Sequence, residues 1–174
     1  MILDKPLLIK TSRLILKSIT IDDEKEMTEY LTDSMISLTY MLPDYKSDDE
    51  VLKLFNRFIE LSINPKRFVY GIYLDDVLIG FVNDVANLAG EIELGYVIGP
   101  KYQNQGFATE VLKVLIAELF KMGYNKITTG AFEYNTASIR VMEKSGMRKV
   151  DFEEDIFYKG LNHHCVYYEI KKGE

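Results

Sequence analysis

The stretch Gly95-Tyr-Val-Ile-Gly-Pro-Lys-Tyr-Gln-Asn-Gln-Gly-Phe-Ala-Thr109 decides the reading of this 174-residue chain. An apolar run ends at Gly99-Pro100, which breaks a strand. A polar loop with Gln103, Asn104, Gln105 and Gly106 follows. From Ala108 the apolar positions 108, 111, 112, 115, 119 and 122 predict a helix that ends at Gly123. A helix start leaves backbone N–H groups without internal partners and carries a partial positive charge, so it suits a phosphate or diphosphate. Gly106 lacks a Cβ and would let a phosphate reach the backbone, and Ala108 is nearly as small. The competing phosphate signatures, Gly-x-x-x-x-Gly-Lys-Ser/Thr and a Gly-x-Gly-x-x-Gly opening a βαβ unit, are absent. Taken by itself, the segment also reads as an ordinary strand-to-helix connection whose glycine eases a turn.

On the N-terminal side, residues 13–19 predict a first strand, and Asp22 or Asp23 caps a short helix through about Leu31. Ser47-Asp-Asp-Glu50 has capping-box spacing, and Val51, Leu54, Phe55, Phe58 and Leu61 predict a helix over about 48–63, ended near Pro65. Residues 68–74 and 77–83 flank Asp75-Asp76 and read as a hairpin, followed by a strand at about 91–98. Beyond the central helix come a strand near 126–132, a helix near 136–145 closed by Gly146, and strands near 147–152 and 164–170. The order β-α-α-β-β-β-α-β-α-β-β predicts an α/β (α+β) fold. Its mixed central sheet has about seven strands, mostly antiparallel with a central parallel pair, flanked by about four helices. Length and the lack of a linker predict a single domain over residues 1–174 with its core at about 11–170.

Composition removes whole classes. The chain is 47% apolar and 28% charged, which is neither a disordered tail nor a disulfide miniprotein. The net charge of −6 and scattered Lys and Arg argue against a nucleic-acid partner. No apolar run is long enough to span a membrane, and the N-terminal residues Met-Ile-Leu-Asp-Lys-Pro carry no secretory pattern. One cysteine, Cys165, cannot form an internal disulfide and fits a cytoplasmic location. His163-His164-Cys165 invites a metal reading, but neighbours in a strand point to opposite faces and no CxxC or HExxH accompanies them, so no metal site is expected.

Gln103-x-x-Gly106-x-Ala108, between a Gly-Tyr-containing strand and an amphipathic helix, resembles the diphosphate loop of the GNAT superfamily of acetyl-CoA-dependent N-acetyltransferases. A second match, Asn135-Thr-Ala-Ser138 followed by Met142, Lys144, Gly146 and Met147, resembles that family's later segment. Arg13-Leu-Ile-Leu and Glu93-Leu-Gly-Tyr96 look most like the branch containing ribosomal-protein N-terminal acetyltransferases. The resemblance covers roughly residues 11 to 170. It implies transfer of acetyl from acetyl-CoA, as cosubstrate, to a primary amine by direct attack, with no metal and no covalent enzyme intermediate. Cys165 has no activating motif beside it and is not expected to be a nucleophile.

The resemblance also implies roles. Backbone groups of Tyr96, Val97 and Ile98 would meet the pantetheine amides, where the family's parallel strands splay apart. Backbone N–H groups of Gln103, Asn104, Gln105, Gly106, Phe107, Ala108 and Thr109 would hold the diphosphate. Asn135 would reach the cofactor arm, with Ser138 one turn along near the sulfur; Asn135 is equally a good N-cap, and Ser138 equally a solvent-facing serine. A protein α-amine, with a pKa of about 7.7–8.0, asks less of a base than a lysine near 10.4. Glu93 is the candidate base, directly or through water, with Glu91 its rival two residues away; both also read as solvated strand charges. Many relatives place Tyr where this chain has Met142, leaving Ser138 as the candidate acid. The missing tyrosine keeps open an alternative, a non-catalytic acyl-CoA-binding or sensing domain of the same fold. The acceptor, a protein N-terminus or a small-molecule amine, carries no readable code in segments 32–47 and 153–163, although Tyr40, Tyr45, Tyr70 and Tyr73 could line its groove. A homodimer stays open.

Overall fold

The computed structural model describes residues 4–173; the first three residues of the N-terminal stretch lie outside them. Twelve elements follow in the order β1 (Leu8–Lys10), β2 (Ile15–Lys17), α1 (Glu24–Thr32), α2 (Asp48–Ile63), β3 (Tyr70–Leu74), β4 (Val77–Leu88), β5 (Glu91–Ile98), α3 (Phe107–Met122), β6 (Lys126–Phe132), α4 (Thr136–Lys144), β7 (Arg148–Tyr158) and β8 (Leu161–Lys171). Single 3-10 turns occur at Ile21–Asp23, Ile36–Leu38 and Pro100–Tyr102. The strands form one mixed sheet in the order β1-β2-β3-β4-β5-β6-β8-β7, mostly antiparallel with one parallel pair, β5–β6.

The sheet has eight strands where about seven were expected, because a short strand at Leu8–Lys10 precedes the predicted first strand, which is itself shortened to Ile15–Lys17. Between them Thr11 closes a tight turn: its N–H donates to the Leu14 carbonyl at 2.9 Å, and its Oγ1 accepts from the Leu14 N–H at 2.9 Å. A threonine hydroxyl that satisfies a local backbone donor competes with strand continuation. The β7–β8 hairpin turns at Lys159-Gly160, so most of segment 153–163, read above as an acceptor loop, is instead strand. The Asp75-Asp76 hairpin forms as expected, with φ of 48° and 64°, the left-handed pair a two-residue turn requires.

Two compact units emerge. The first holds Asp4–Asn83 and Tyr96–Phe107. Its strands β1 to β3 and the start of β4 pair antiparallel, so that the inward residues Leu16, Ile72 and Ile79 are fully buried. Helices α1 and α2 bury Met27, Leu31, Val51, Phe55 and Phe58 in one apolar cluster with Tyr73, Leu78, Phe81 and Val97. Burial of a Phe or Leu side chain stabilises by roughly 1.5–3 kcal/mol, so this cluster outweighs any cap. The expected side-chain caps do not form: neither Asp23 at the start of α1 nor Ser47 at the start of α2 makes one. Asp23 Oδ2 accepts from the Thr20 N–H at 2.8 Å, whereas Glu50 Oε2 accepts from the Lys46 N–H at 2.8 Å instead of closing the expected box on Ser47.

The second unit holds Asp84–Gly95 and the chain from Ala108 onward. Glu91–Glu93 run parallel to Lys126–Thr128, and β8 lies antiparallel between β6 and β7. α3 buries Val111, Leu112, Leu115, Leu119 and Met122 of the predicted stripe and Ile116 besides, while Ala108, at the stripe's start, is half-buried. α4 starts at Asn135, whose Oδ1 accepts from the Ser138 N–H at 3.2 Å, and ends near Gly146 at φ 87°.

Candidate active site

In the first unit, the segment 99–107 is built by its own side chains. The Gly99 N–H donates to the Ile79 carbonyl at 2.8 Å, and a Cβ at Gly99 would fall 2.5 Å from the Tyr30 ring, so only glycine lets the chain leave β5 this close to α1. The Gln103 side-chain amide donates back to the Ile98 carbonyl at 2.9 Å, and that of Gln105 to the Lys101 carbonyl at 3.3 Å. Asn104 and Gly106 take φ of 60° and 81°. These two left-handed residues turn the backbone into the first residue of α3, Phe107, whose ring is buried. The Arg13 guanidinium closes the arrangement: Nη2 donates to the Gln105 carbonyl at 3.1 Å, and Cζ stands 4.4 Å from the Phe107 ring centroid. The loop therefore arrives at the helix start already ordered, with a permanent cation beside it. Nearest to where a Gly106 Cβ would sit is Arg13 Nη2 at 3.5 Å, so the glycine is required for backbone conformation and leaves a small open recess. Ala108 and Thr109 continue into the first turn of α3, half-buried. Gln103 is a loop tie twice over, by its side chain and by its backbone N–H, which donates to the Pro100 carbonyl at 3.4 Å.

β5 carries two more of the predicted groups. Its parallel pairing with β6 spans Glu91–Glu93, three of its eight residues. The strand continues through Tyr96, Val97 and Ile98, of which Val97 and Ile98 are buried. Val97 lies so close to β4 that a Cβ on Gly80 would overlap its carbonyl oxygen.

In the second unit, the structure separates the rival bases. Glu91 is tied into an ion pair with Lys126 at 2.5 Å. Glu93 is half-buried, and burial first, then the charge of Glu154, push its carboxyl above the ordinary range. A carboxylate so raised is a better proton acceptor from an amine than a solvated one. Around it lies a cluster that sequence reading missed. Tyr167 donates its hydroxyl to Glu154 Oε1 at 2.5 Å, its ring covers Gly130, where a Cβ would come within 2.7 Å, and Cys165 is paired with Glu154 across β7 and β8. Residues 165 and 167 share a face by strand alternation, and Gly130 marks where a large ring must fit, so those signals were present. Burial raises the Cys165 thiol, which agrees with its exclusion as a nucleophile.

The remaining predicted residues take definite places. Asn135 is the N-cap of α4, and Ser138 is half-buried in its first turn. Met142 is fully buried, so it belongs to the core and not to a cleft face shared with Ser138. Tyr70 and Tyr73 are core residues, with hydroxyls donated to the Pro6 carbonyl at 2.6 Å and to Asp23 Oδ2 at 2.7 Å, and they line no groove. Tyr40 and Tyr45 pack against the α1–α2 cluster, Tyr40 donating to Asn83 Oδ1 at 2.8 Å. His163 stacks on Phe132 at 4.7 Å between centroids, whereas His164 bonds Asp155 and Glu153.

Residues 13–148 match the family model described as an acetyltransferase (GNAT) domain. A Bacillus subtilis protein named uncharacterized N-acetyltransferase YnaD is 29% identical over 163 residues, covering 92% of this chain and 94% of its own. The crystal structure of a GNAT-family acetyltransferase from Bacillus anthracis superposes with a TM-score of 0.81 at 26% identity, covering 96% of this chain and 99% of that one. RimL, a ribosomal L7/L12 α-N-protein acetyltransferase solved in complex with coenzyme A, superposes with a TM-score of 0.80 over 94% of this chain and 97% of its own; at 16% identity that likeness is one of fold.

Proposed function

The chain belongs to the GNAT acetyltransferase family, and from that premise we propose how its residues divide the work of moving acetyl from acetyl-CoA to an amine. The whole chain serves as one catalytic domain. Gln103 orders the loop through its side chain and its backbone N–H, the backbone N–H groups of Asn104 through Thr109 hold the diphosphate, and backbone groups of Tyr96, Val97 and Ile98 meet the pantetheine arm. The observation that carries this is the ordered recess at Gly106, left-handed, open, and placed at the start of a sixteen-residue helix.

Glu93 accepts the proton of the attacking amine, directly or through water, which its burial and its neighbour Glu154 favour. The amine nitrogen forms a bond to the thioester carbonyl carbon, the C–S bond breaks, and the departing thiolate takes a proton from Ser138 or from water. A thiol with a parent pKa near 8.5 leaves with modest help, so Met142 in place of a tyrosine does not abolish turnover. The acceptor is a protein N-terminus or a small-molecule amine, because an α-amine near pKa 7.7–8.0 is already partly neutral. The buried free thiol of Cys165 fits a reducing, cytoplasmic setting.

The test is a comparison of peptides offering only an α-amine with peptides offering only a lysine amine, across pH. An α-amine rate that exceeds the lysine rate most at neutral pH supports the assignment. Equal rates at pH 7 would assign the chain a stronger base than Glu93.

A further inference from the structure

In the sequence Arg13 stands only in a resemblance, whereas in the structure its side chain meets Gln105 and Phe107, the residues on either side of Gly106. β1 and β2 are antiparallel, and the turn joining them is pinned by Thr11 and by the buried Leu14, so residue 13 is presented from a fixed support. From there the guanidinium donates to the Gln105 carbonyl at 3.1 Å, lies 3.5 Å from where a Gly106 Cβ would be, and stacks over the Phe107 ring at 4.4 Å.

A side chain used only to hold a loop needs no charge. A guanidinium never loses its proton in a protein, carries five N–H donors in a planar fork, and matches phosphate oxygens in pairs. In a chain of net charge −6, a fixed cation at the recess of Gly106 adds to the partial positive charge of the helix start. We propose that Arg13 is a cofactor-phosphate residue, through which the β1–β2 turn supplies the diphosphate loop with both its conformation and its countercharge. The proposal rests on reading residues 103–109 as the diphosphate loop.

The experiment measures dissociation constants by calorimetry for CoA, dephospho-CoA and pantetheine, on the wild-type chain and on Arg13→Gln and Arg13→Lys. Arg13→Gln should weaken CoA and dephospho-CoA about tenfold, the low end for a charge-assisted bond, and change pantetheine by less than about twofold. Arg13→Lys should lose less, since it keeps the charge and forfeits the fork. Each variant is judged by its ratio of CoA to pantetheine affinity, a quantity the fraction of unfolded chain does not alter. An unchanged ratio in both variants overturns the proposal, whether all three ligands weaken equally, as for a merely structural role, or none does. A loss for CoA but not for dephospho-CoA would move the countercharge to the 3′-phosphate and also overturn it. If the wild type binds CoA no better than pantetheine, the loop assignment itself fails, and Arg13 falls with it.

Discussion

Replacing Gly106 with glutamate probes the cofactor site most sharply. At φ 81° a non-glycine residue costs about 1–2 kcal/mol of backbone strain. No clash adds to this, because the nearest atom to the new Cβ is Arg13 Nη2 at 3.5 Å. Against a total stability of roughly 5–15 kcal/mol the chain stays folded, with a melting temperature lower by about 2–8 °C. Ligand affinity changes far more. The new carboxylate would lie beside Arg13 and the helix start, the position a phosphate would take. Two like charges about 4 Å apart repel by about 4 kcal/mol at a surface dielectric near 20, or roughly three decades in affinity. Gly106→Ala serves as the control, since it shares the backbone strain and lacks the charge. Calorimetric titration with CoA should give a loss of about a thousandfold for Gly106→Glu and a much smaller loss for Gly106→Ala. A Gly106→Glu protein that binds CoA within a few-fold of wild type would refute the diphosphate assignment.

Glu93→Gln should cut the rate by about 10²–10⁴-fold, most on acceptors of high pKa, and abolish the acid limb of the pH–rate profile. The raised carboxyl of Glu93 stabilises the fold only below its unfolded pKa, near 4.3, and that contribution is lost as pH rises through its folded pKa. The same variant should therefore melt higher than wild type at pH 7 and equal to it near pH 4, and a lower melting point at pH 7 would contradict the burial argument. Met142→Tyr should destabilise by about 1–3 kcal/mol in urea titration because it overpacks a fully buried site, and should not raise kcat, whereas Ser138→Ala should lower kcat by about tenfold or less. His164 contacts carboxylates through both ring nitrogens, which raises its pKa, so NMR titration should place it above 6.5 and Asp155→Asn should lower it.

Periodic elements were legible because burial enforces their period. The α3 stripe, the α2 helix over 48–63 and the Asp75-Asp76 turn follow from local pattern alone. The extra strand at Leu8–Lys10 was not, because three residues carry too little period to read, and the turn that pairs it with β2 hangs on one hydroxyl, the Thr11 Oγ1 that accepts from the Leu14 N–H. The long β7–β8 hairpin was underestimated for a different reason. His164 of β8 bonds Glu153 and Asp155 of β7 across the strands, so a polar stretch that reads as loop is held as sheet. At the site, chain-local features such as Gly106 and the Asn135 cap were readable. The partners of Glu93 were not, since Glu154 and Tyr167 lie 61 and 74 residues further on and become neighbours only through the register of β6, β8 and β7. Arg13 against Gln105, 92 residues apart, belongs to the same class.

Catalysis of amine acetylation is read out by release of free CoA from acetyl-CoA in the presence of a panel of amines. The panel spans N-terminal peptides, free amino acids, polyamines and amine-bearing antibiotics. Thiol release should depend on the amine, saturate in both substrates, and yield an acetylated acceptor in equal amount. A protein whose melting temperature rises with acetyl-CoA, by the equivalent of about 2.7 kcal/mol at a hundredfold excess over Kd, yet which releases no CoA with any amine, would contradict it and establish an acyl-CoA-binding domain instead.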